Sequence, residues 1–171
     1  ELATRADFSR SETEVVILMG EVDEVRHPYT GATMLLRRNI SIPTPMYEYG
    51  TFSPSEVEIA PEGYYILPES ETAIERLEAH GVTVSRLNTE SERRVERFQI
   101  DSTRTNPNSF QGRNERMVWG RWVSITEVLP SGTAYVSMDQ PLGRLAFTLL
   151  EPRSDDGFVS WAILDEEIEG G

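Results

Sequence analysis

The apolar residues of this chain occur in short runs separated by turn-forming residues, and this pattern constrains the fold more than any other feature. Short β-branched and aromatic runs between Gly, Pro and Asp are typical of β-strands. Strands are predicted at residues 15–19, 32–42, 64–67, 82–84, 93–103, 117–129 and 133–138. We therefore predict an α+β fold that is β-rich, with a mostly antiparallel sheet and two principal helices.

Two segments space their apolar residues as a helix does. Ala73, Ile74 and Leu77 share one face of a helix predicted at about residues 71–80, and a glycine follows in a position suited to the left-handed conformation. The second helix is predicted at about residues 141–151, with proline at its first position and a stripe of leucines.

The pattern also predicts how the chain is organised. Residues 1–14 are polar and are expected to be frayed, and residues 166–171 form an acidic tail. Residues 15–165 are predicted to fold as a single domain. A repeat of turn, strand and helix leaves open that this domain consists of two related halves, at about 15–90 and 91–165. The chain starts with Glu and ends with two Gly, so we expect it to be a piece of a longer protein.

Two proline-containing stretches are predicted as loops rather than strands. Residues 43–50 contain two prolines, which lack the N–H groups that a central strand needs. Residues 106–108 read Asn-Pro-Asn, a typical turn sequence. The run at residues 15–19 is predicted to be a buried strand, and residues 158–164 are predicted to form the last buried element.

Charge and composition exclude several classes of function. The chain has 171 residues, 16 basic against 29 acidic, and a net charge of -13, which disfavours nucleic acids and anionic membranes. All basic residues are arginines and no cysteine occurs, so lysine and thiol chemistry and disulfides are excluded. The longest apolar run is far shorter than the ~20 residues of a membrane-spanning helix. We expect no membrane insertion.

The sequence offers no recognisable catalytic or metal-binding motif. Only two histidines occur, His27 and His80. The third residue after each of them is a threonine, Thr30 or Thr83, so neither histidine starts a His-x-x-Glu motif. We interpret His80 as a helix C-cap and His27 as an exposed turn residue. No Gly-x-Ser-x-Gly, P-loop or Gly-x-Gly-x-x-Gly motif is present. We predict no catalytic, cofactor-binding or metal-binding residue on this chain.

Aromatic residues mark a candidate interaction surface. Tyr47 and Tyr49 lie in the predicted proline-containing loop, and Trp119, Arg121 and Trp122 lie on a predicted strand. Such aromatics can bind a carbohydrate or peptide, although aromatics on strands more often pack in a core. Trp119 and Trp122 differ in parity and are expected on opposite faces of their strand.

Two blocks of sequence resemble a known family. The later block contains residues 132–146, which read GTAYVSMDQPLGRLA, and residues 149–161, which read LLEPRSDDGFVSW. The earlier block is residues 61–84. They resemble the non-catalytic region that follows the peptidase domain in bacterial carboxypeptidase A-like zinc peptidases. Ser137 departs from the family, in which proline is favoured. The resemblance covers about residues 57–165.

The resemblance implies an accessory role. The family's zinc ligands, arginine clamp and glutamate base have no matching positions in this chain, so zinc is expected only in the peptidase domain of the parent protein. The expected partner is that catalytic domain, on which this chain would pack or to which it would modulate access. A secreted or periplasmic location is favoured by the same resemblance. A carbohydrate- or peptide-binding module remains the first alternative, and a hydrolase using two of the many carboxylates remains the second.

Overall fold

A computed structural model describes residues 1–164 of the chain, which form nine strands and two helices. The predicted acidic tail at 166–171 lies outside the described residues. The elements are β1 Leu2–Ser9, β2 Val15–Arg26, β3 Thr33–Met46, β4 Thr51–Glu58, β5 Gly63–Ile66, α1 Glu71–Ala79, β6 Ser85–Arg86, β7 Ser91–Phe110, β8 Arg113–Leu129, β9 Ala134–Ser137 and α2 Gly143–Leu150. The prediction of a strand-rich fold with antiparallel sheets and two helices is confirmed, and the chain is mostly β.

The chain forms two compact units, and their boundary does not coincide with the division at about 90/91 that the sequence left open within the predicted single domain. Among the described residues, the smaller unit contains residues 6–53, and the larger unit contains residues 1–5 and 54–164. Within the described residues, no helix is long and apolar enough to cross a lipid bilayer.

The core of the larger unit lies between a three-stranded sheet and both helices. The sheet has the order β5-β9-β6, with antiparallel pairing on both sides of β9. Ala134 and Val136 of β9 are fully buried together with Ile74 and Leu77 of α1 and Ala146 of α2. Each of the neighbouring strands β5 and β9 leads into a helix that packs on this core, which is where the repeated turn–strand–helix pattern of the sequence lies.

The ends of α1 follow the sequence signals, whereas α2 starts later than expected. The ring Nδ1 of His80 lies 2.7 Å from the carbonyl oxygen of Arg76, and Gly81 has a φ of +83°. Helix α2 begins at Gly143 rather than at Pro141. A Cβ at Gly143 would fall far inside van der Waals distance of the Met138 carbonyl oxygen, so the close approach of that carbonyl requires glycine at this position.

Strands β2 and β3 form a long antiparallel hairpin in the smaller unit. The turn predicted to contain His27 is confirmed: the backbone N–H groups of Tyr29 and Thr30 donate to Nδ1 of His27, and Gly31 has a φ of +70°. The expectation that residues 15–19 are buried is wrong, since Leu18 is 67% exposed.

The loop predicted at 43–50 is confirmed only for residues 47–50, and the turn predicted at 106–108 is part of a strand. Residues 43–46 belong to β3, where Pro43 lies opposite Leu18. Proline is tolerated there because, among the described strands, β3 pairs with β2 alone. Residues 106–108 lie inside β7 at a register shift in its pairing with β8. The Asn106 side chain accepts a hydrogen bond from the Asn108 N–H at 3.0 Å, so the turn chemistry forms an irregularity within the strand.

Three smaller expectations are also corrected. Residues 2–9 form β1, which pairs with β4, so they are not a frayed segment. The strand expected at 82–84 lies instead at Ser85–Arg86. Residues 158–164 form turns rather than a regular element, although Phe158 and Val159 are buried as expected.

Candidate functional site

The five predicted interaction residues belong to different compact units. Tyr47 and Tyr49 follow β3 in the smaller unit, and Trp119, Arg121 and Trp122 lie on β8 in the larger unit. Each set is therefore a candidate surface of its own unit.

The tyrosine surface is partly covered by the chain itself. The guanidinium carbon of Arg10 lies 3.5 Å from the centroid of the Tyr47 ring, a cation–π contact. Ser11 and Glu48 hold this region by two hydrogen bonds, from Ser11 N–H to the Glu48 carbonyl and from Glu48 N–H to the Ser11 hydroxyl. Tyr49 remains well exposed. One ring face of Tyr47 is thus occupied, and Tyr49 is the more accessible aromatic.

The tryptophans of β8 have different surroundings. Trp122 is half-buried and packs edge-on against Phe98, with ring centroids 5.2 Å apart. Trp119 is 43% exposed, and its strand parity differs from that of Trp122. Arg121 bonds to Gln99 and Asp101 across the hairpin. Trp119 is therefore the more exposed tryptophan of this pair, while Trp122 packs against Phe98.

Trp119 borders a small cleft that sequence reasoning missed. The cleft has a volume of about 70 Å³, and its lining comes from β1, β4, β8 and the segment after α2. The lining residues are Arg5, Glu56, Met117, Val118, Trp119 and Arg153. No local pattern marks this cleft, because its charged lining residues, Arg5, Glu56 and Arg153, come from distant parts of the sequence. Its size suits a single side-chain tip rather than a larger ligand.

The charged groups of the cleft neutralise each other. Arg153 uses Nη1 and Nη2 to reach Glu58 at 2.9 Å and Glu56 at 2.5 Å. Arg5 pairs with Glu115 at 2.9 Å. All five side chains are only partly exposed, so these pairs are less screened than surface pairs. These ion pairs hold the charged rim of the cleft in place, and Met117, Val118 and Trp119 of β8 supply its apolar lining.

A buried carboxylate lies beside this ion-pair group. Glu151 is 2% exposed and accepts a hydrogen bond of 2.8 Å from the Tyr64 hydroxyl. Burial raises the pKa of Glu151 to about 7, while the bond from Tyr64 and the charge of Arg153 lower that pKa and the charge of Glu58 raises it. Burial and the neighbouring carboxylate raise the pKa of Tyr64 well above its ordinary value. Glu151 is therefore a titratable group near neutral pH that no sequence motif indicated.

The two histidines are placed where the sequence interpretation put them, in a turn and at a helix end. In residues 1–164, the structure brings together no group of three or more His, Cys, Asp or Glu side chains that could hold a metal ion.

A comparison of this chain with models of protein families, with curated proteins and with solved structures finds no match.

Proposed function

We propose that this chain is a non-catalytic accessory domain of a carboxypeptidase A-like zinc peptidase, and that it packs on the peptidase domain and shapes access to it. The observation that carries the proposal is the exposed apolar surface of the β2–β3 hairpin. Contiguous exposed apolar surface of this kind marks interaction sites. Its large exposed side chains are Val16, Leu18, Met19, Val22, Met34, Leu35, Leu36, Ile40 and Ile42.

The apolar side chains of the hairpin adjoin one another across the two strands. Val16 and Leu18 have the same parity in β2 and lie opposite Pro45 and Pro43 of β3. Met19 lies opposite Ile42 on the other face. Neighbours in register share a face, so each face of this part of the hairpin carries an apolar row. A partner that packs on either row would remove large apolar side chains from water.

The charge of the hairpin also suits an interface. Residues 15–46 contain three acidic residues and three arginines, so their formal charges cancel, whereas the whole chain carries -13. Interface centres are depleted of net charge because a desolvated, unpaired charge opposes association. The likeness of residues 132–161 to the region beside a zinc peptidase domain supplies the expected partner.

The proposal is tested first on the parent gene and then on the parent protein. The reading frame that contains this chain should also encode a His-x-x-Glu motif with a later His; a frame without them would contradict the proposal. In the parent protein, amide hydrogen exchange of β2 and β3 should be slower than in the separate chain. Leu18→Glu should restore fast exchange and change peptidase kinetics, whereas Val128→Glu, at another exposed strand position, serves as the matched control.

The separate chain offers a second check on the non-catalytic role. Calorimetric titration with zinc should show no stoichiometric tight binding. Tight uptake of one zinc ion, followed by peptide cleavage that a chelator abolishes, would assign catalysis to this chain and contradict the proposal.

The exposed indole of Trp119 beside its cleft favours a second candidate function, the binding of a peptide side chain by this surface. Titration with a peptide library should then shift the tryptophan fluorescence in a saturable way. Trp119→Leu should abolish that shift, and Trp122→Leu, which removes the half-buried tryptophan, is the control for a general change in structure.

A further inference from the structure

The three-stranded sheet β5-β9-β6 has a second face, opposite the core. Tyr65 of β5 lies in register with Tyr135 of β9, which lies in register with Ser85 of β6. Residues in register share a face, and the next row, which contains Ala134, is buried in the core. Tyr65, Tyr135 and Ser85 therefore form a row of two aromatic rings and a hydroxyl on the face that is turned away from the core.

The ring of Tyr135 is held in a defined position on this face. Its centroid lies 4.9 Å from that of Tyr65, at an interplanar angle of 41°. A Cβ at Gly63 would come within 2.6 Å of the Tyr135 hydroxyl, so the ring extends over the one position of β5 that carries no side chain. The lack of a side chain at Gly63 therefore leaves the space that the Tyr135 ring occupies.

A cavity adjoins this ring. It has a volume of about 250 Å³, and Tyr135, Ser85, Ser137 and Asp139 contribute to its lining. Pockets for drug-sized ligands have volumes of roughly 300–1,000 Å³. The cavity is somewhat smaller and suits a ligand of a single ring.

The loop that borders the cavity is fixed by Gln140. Its Oε1 accepts a hydrogen bond of 2.8 Å from the Thr83 N–H, and its Nε2 donates to the carbonyl oxygens of Ser137 at 2.7 Å and Thr83 at 3.2 Å. The Gln140 side-chain amide thus links the end of β9 to the segment before β6. Asp139, the residue before Gln140, is placed by these hydrogen bonds, and little ordering remains to be done when a ligand binds.

We propose that this cavity binds one neutral sugar ring. An aromatic face suits the C–H face of a pyranose, and hydroxyl and carboxylate groups at its edge suit the sugar hydroxyls, which donate and accept hydrogen bonds. Tyr135 supplies the stacking surface, and Asp139 accepts from the sugar. The Ser85 hydroxyl already donates to the Tyr135 carbonyl oxygen and can accept from the sugar, whereas the Ser137 hydroxyl already accepts from the Asp139 N–H and can donate to it. The carboxylate of Asp139 and the lack of an arginine among the lining residues disfavour an anionic ligand. The site is independent of the accessory role.

The test is an NMR titration of the full chain with glucose, galactose, mannose and N-acetylglucosamine. At least one sugar should shift the amide resonances of Ser85, Tyr135 and Ser137 in a saturable way, with millimolar affinity. Tyr135→Leu should weaken binding about tenfold, which is the order of an aromatic contact. Asp139→Ala is a loop substitution outside the sheet and should also weaken sugar binding. It tests the proposal even if the Tyr135 variant does not fold.

Phe110→Leu is the matched control, since it removes an exposed aromatic elsewhere in the same unit and should leave sugar affinity unchanged. The proposal is overturned if none of the four sugars gives a saturable shift at Tyr135, if the shifts centre on Trp119, or if Asp139→Ala binds as the unaltered chain does. Failure here leaves the exchange and gene tests of the accessory role untouched.

Discussion

The hydroxyl of Tyr64 donates a 2.8 Å hydrogen bond to the carboxylate of Glu151 and joins strand β5 to the end of helix α2. Glu151 is buried and Arg153, two residues later, pairs with Glu56 and Glu58. A carboxylate in this position links the stability of the larger unit to pH. The contact joins residues that are 87 positions apart.

The first prediction concerns the pH dependence of stability. The pKa of Glu151 is raised by burial from 4.5 to about 7 in the folded chain, so the folded state binds this proton more tightly than the unfolded state. The stabilising contribution of the bound proton is complete below pH 4.5 and is lost as the pH rises through about 7. The urea midpoint should therefore fall across this window in the unaltered chain.

Glu151→Gln should remove most of that pH dependence, because glutamine does not titrate and can still accept a bond from Tyr64. Glu75→Gln, on the exposed side of α1, is the matched control and should retain the pH dependence of the unaltered chain. Urea unfolding followed by circular dichroism across the window measures all three proteins. If the urea midpoints of the Glu151 variant and the unaltered chain fell equally with pH, a group other than Glu151 would be responsible for the pH dependence.

The second prediction compares one substitution at two leucines. Leu77 is fully buried in the core of the larger unit, whereas Leu18 is largely exposed on the β2–β3 hairpin. Leu77→Ala should lower the free energy of unfolding by about 2–5 kcal/mol, since it removes apolar contacts and leaves a cavity. Leu18→Ala in the separate chain should change it by about 0.5 kcal/mol or less. A large loss at Leu18 would mean that the hairpin is packed against something in the separate chain.

These leucines show which parts of the fold the sequence could predict. The core face of α1 was predictable because Ala73, Ile74 and Leu77 follow helical spacing and are enclosed by turn signals. Apolar character alone could not assign burial to Leu18, because a β-branched, apolar run occurs equally in a core strand and in a strand that docks on a partner. The sequence therefore predicted the presence of a strand at residues 15–19, but not the exposure of its apolar side chains.

The candidate site was less predictable than the fold. Trp119 was selected from its residue type and is exposed beside a cleft. The charged lining of that cleft comes from Arg5, Glu56 and Arg153, which only the tertiary structure brings together. Arg5 lies in a segment that was expected to be frayed because it is polar. Its strand is formed by pairing with β4 some fifty residues later, and no local propensity encodes such pairing.

The third prediction concerns Gly120 in β8. A Cβ at this position would fall far inside van der Waals distance of the Gln99 carbonyl oxygen, which belongs to the paired strand β7. Gly120→Ala should therefore force the hairpin apart locally and destabilise the chain by about 1–3 kcal/mol. Gly50→Ala is the control, because its nearest neighbour is the flexible end of Glu48 at 3.7 Å. Equal thermal midpoints for the two variants would contradict the predicted clash.

The fourth prediction separates two arginines that both form ion pairs. Arg153 is partly buried between Glu56 and Glu58, near the buried Glu151, whereas Arg121 pairs with Asp101 at the surface. Arg153→Met removes the cation from three carboxylates. The pKa of Glu151, which Arg153 lowers, should then rise further, and the loss of stability should extend to higher pH.

Arg121→Met removes a pair whose side chains are 63% and 52% exposed, and exposed pairs contribute only about 0–1 kcal/mol. Its urea midpoint should follow that of the unaltered chain at every pH. The decisive measurement is the difference in urea midpoint between the two variants. This difference should be larger at about pH 8 than at about pH 5, because protonation of Glu151 at the lower pH relieves its repulsion from Glu58, which Arg153 normally offsets. A difference that stays constant with pH would mean that Arg153 stabilises the cleft by packing alone, and that Glu151 is not coupled to its charge.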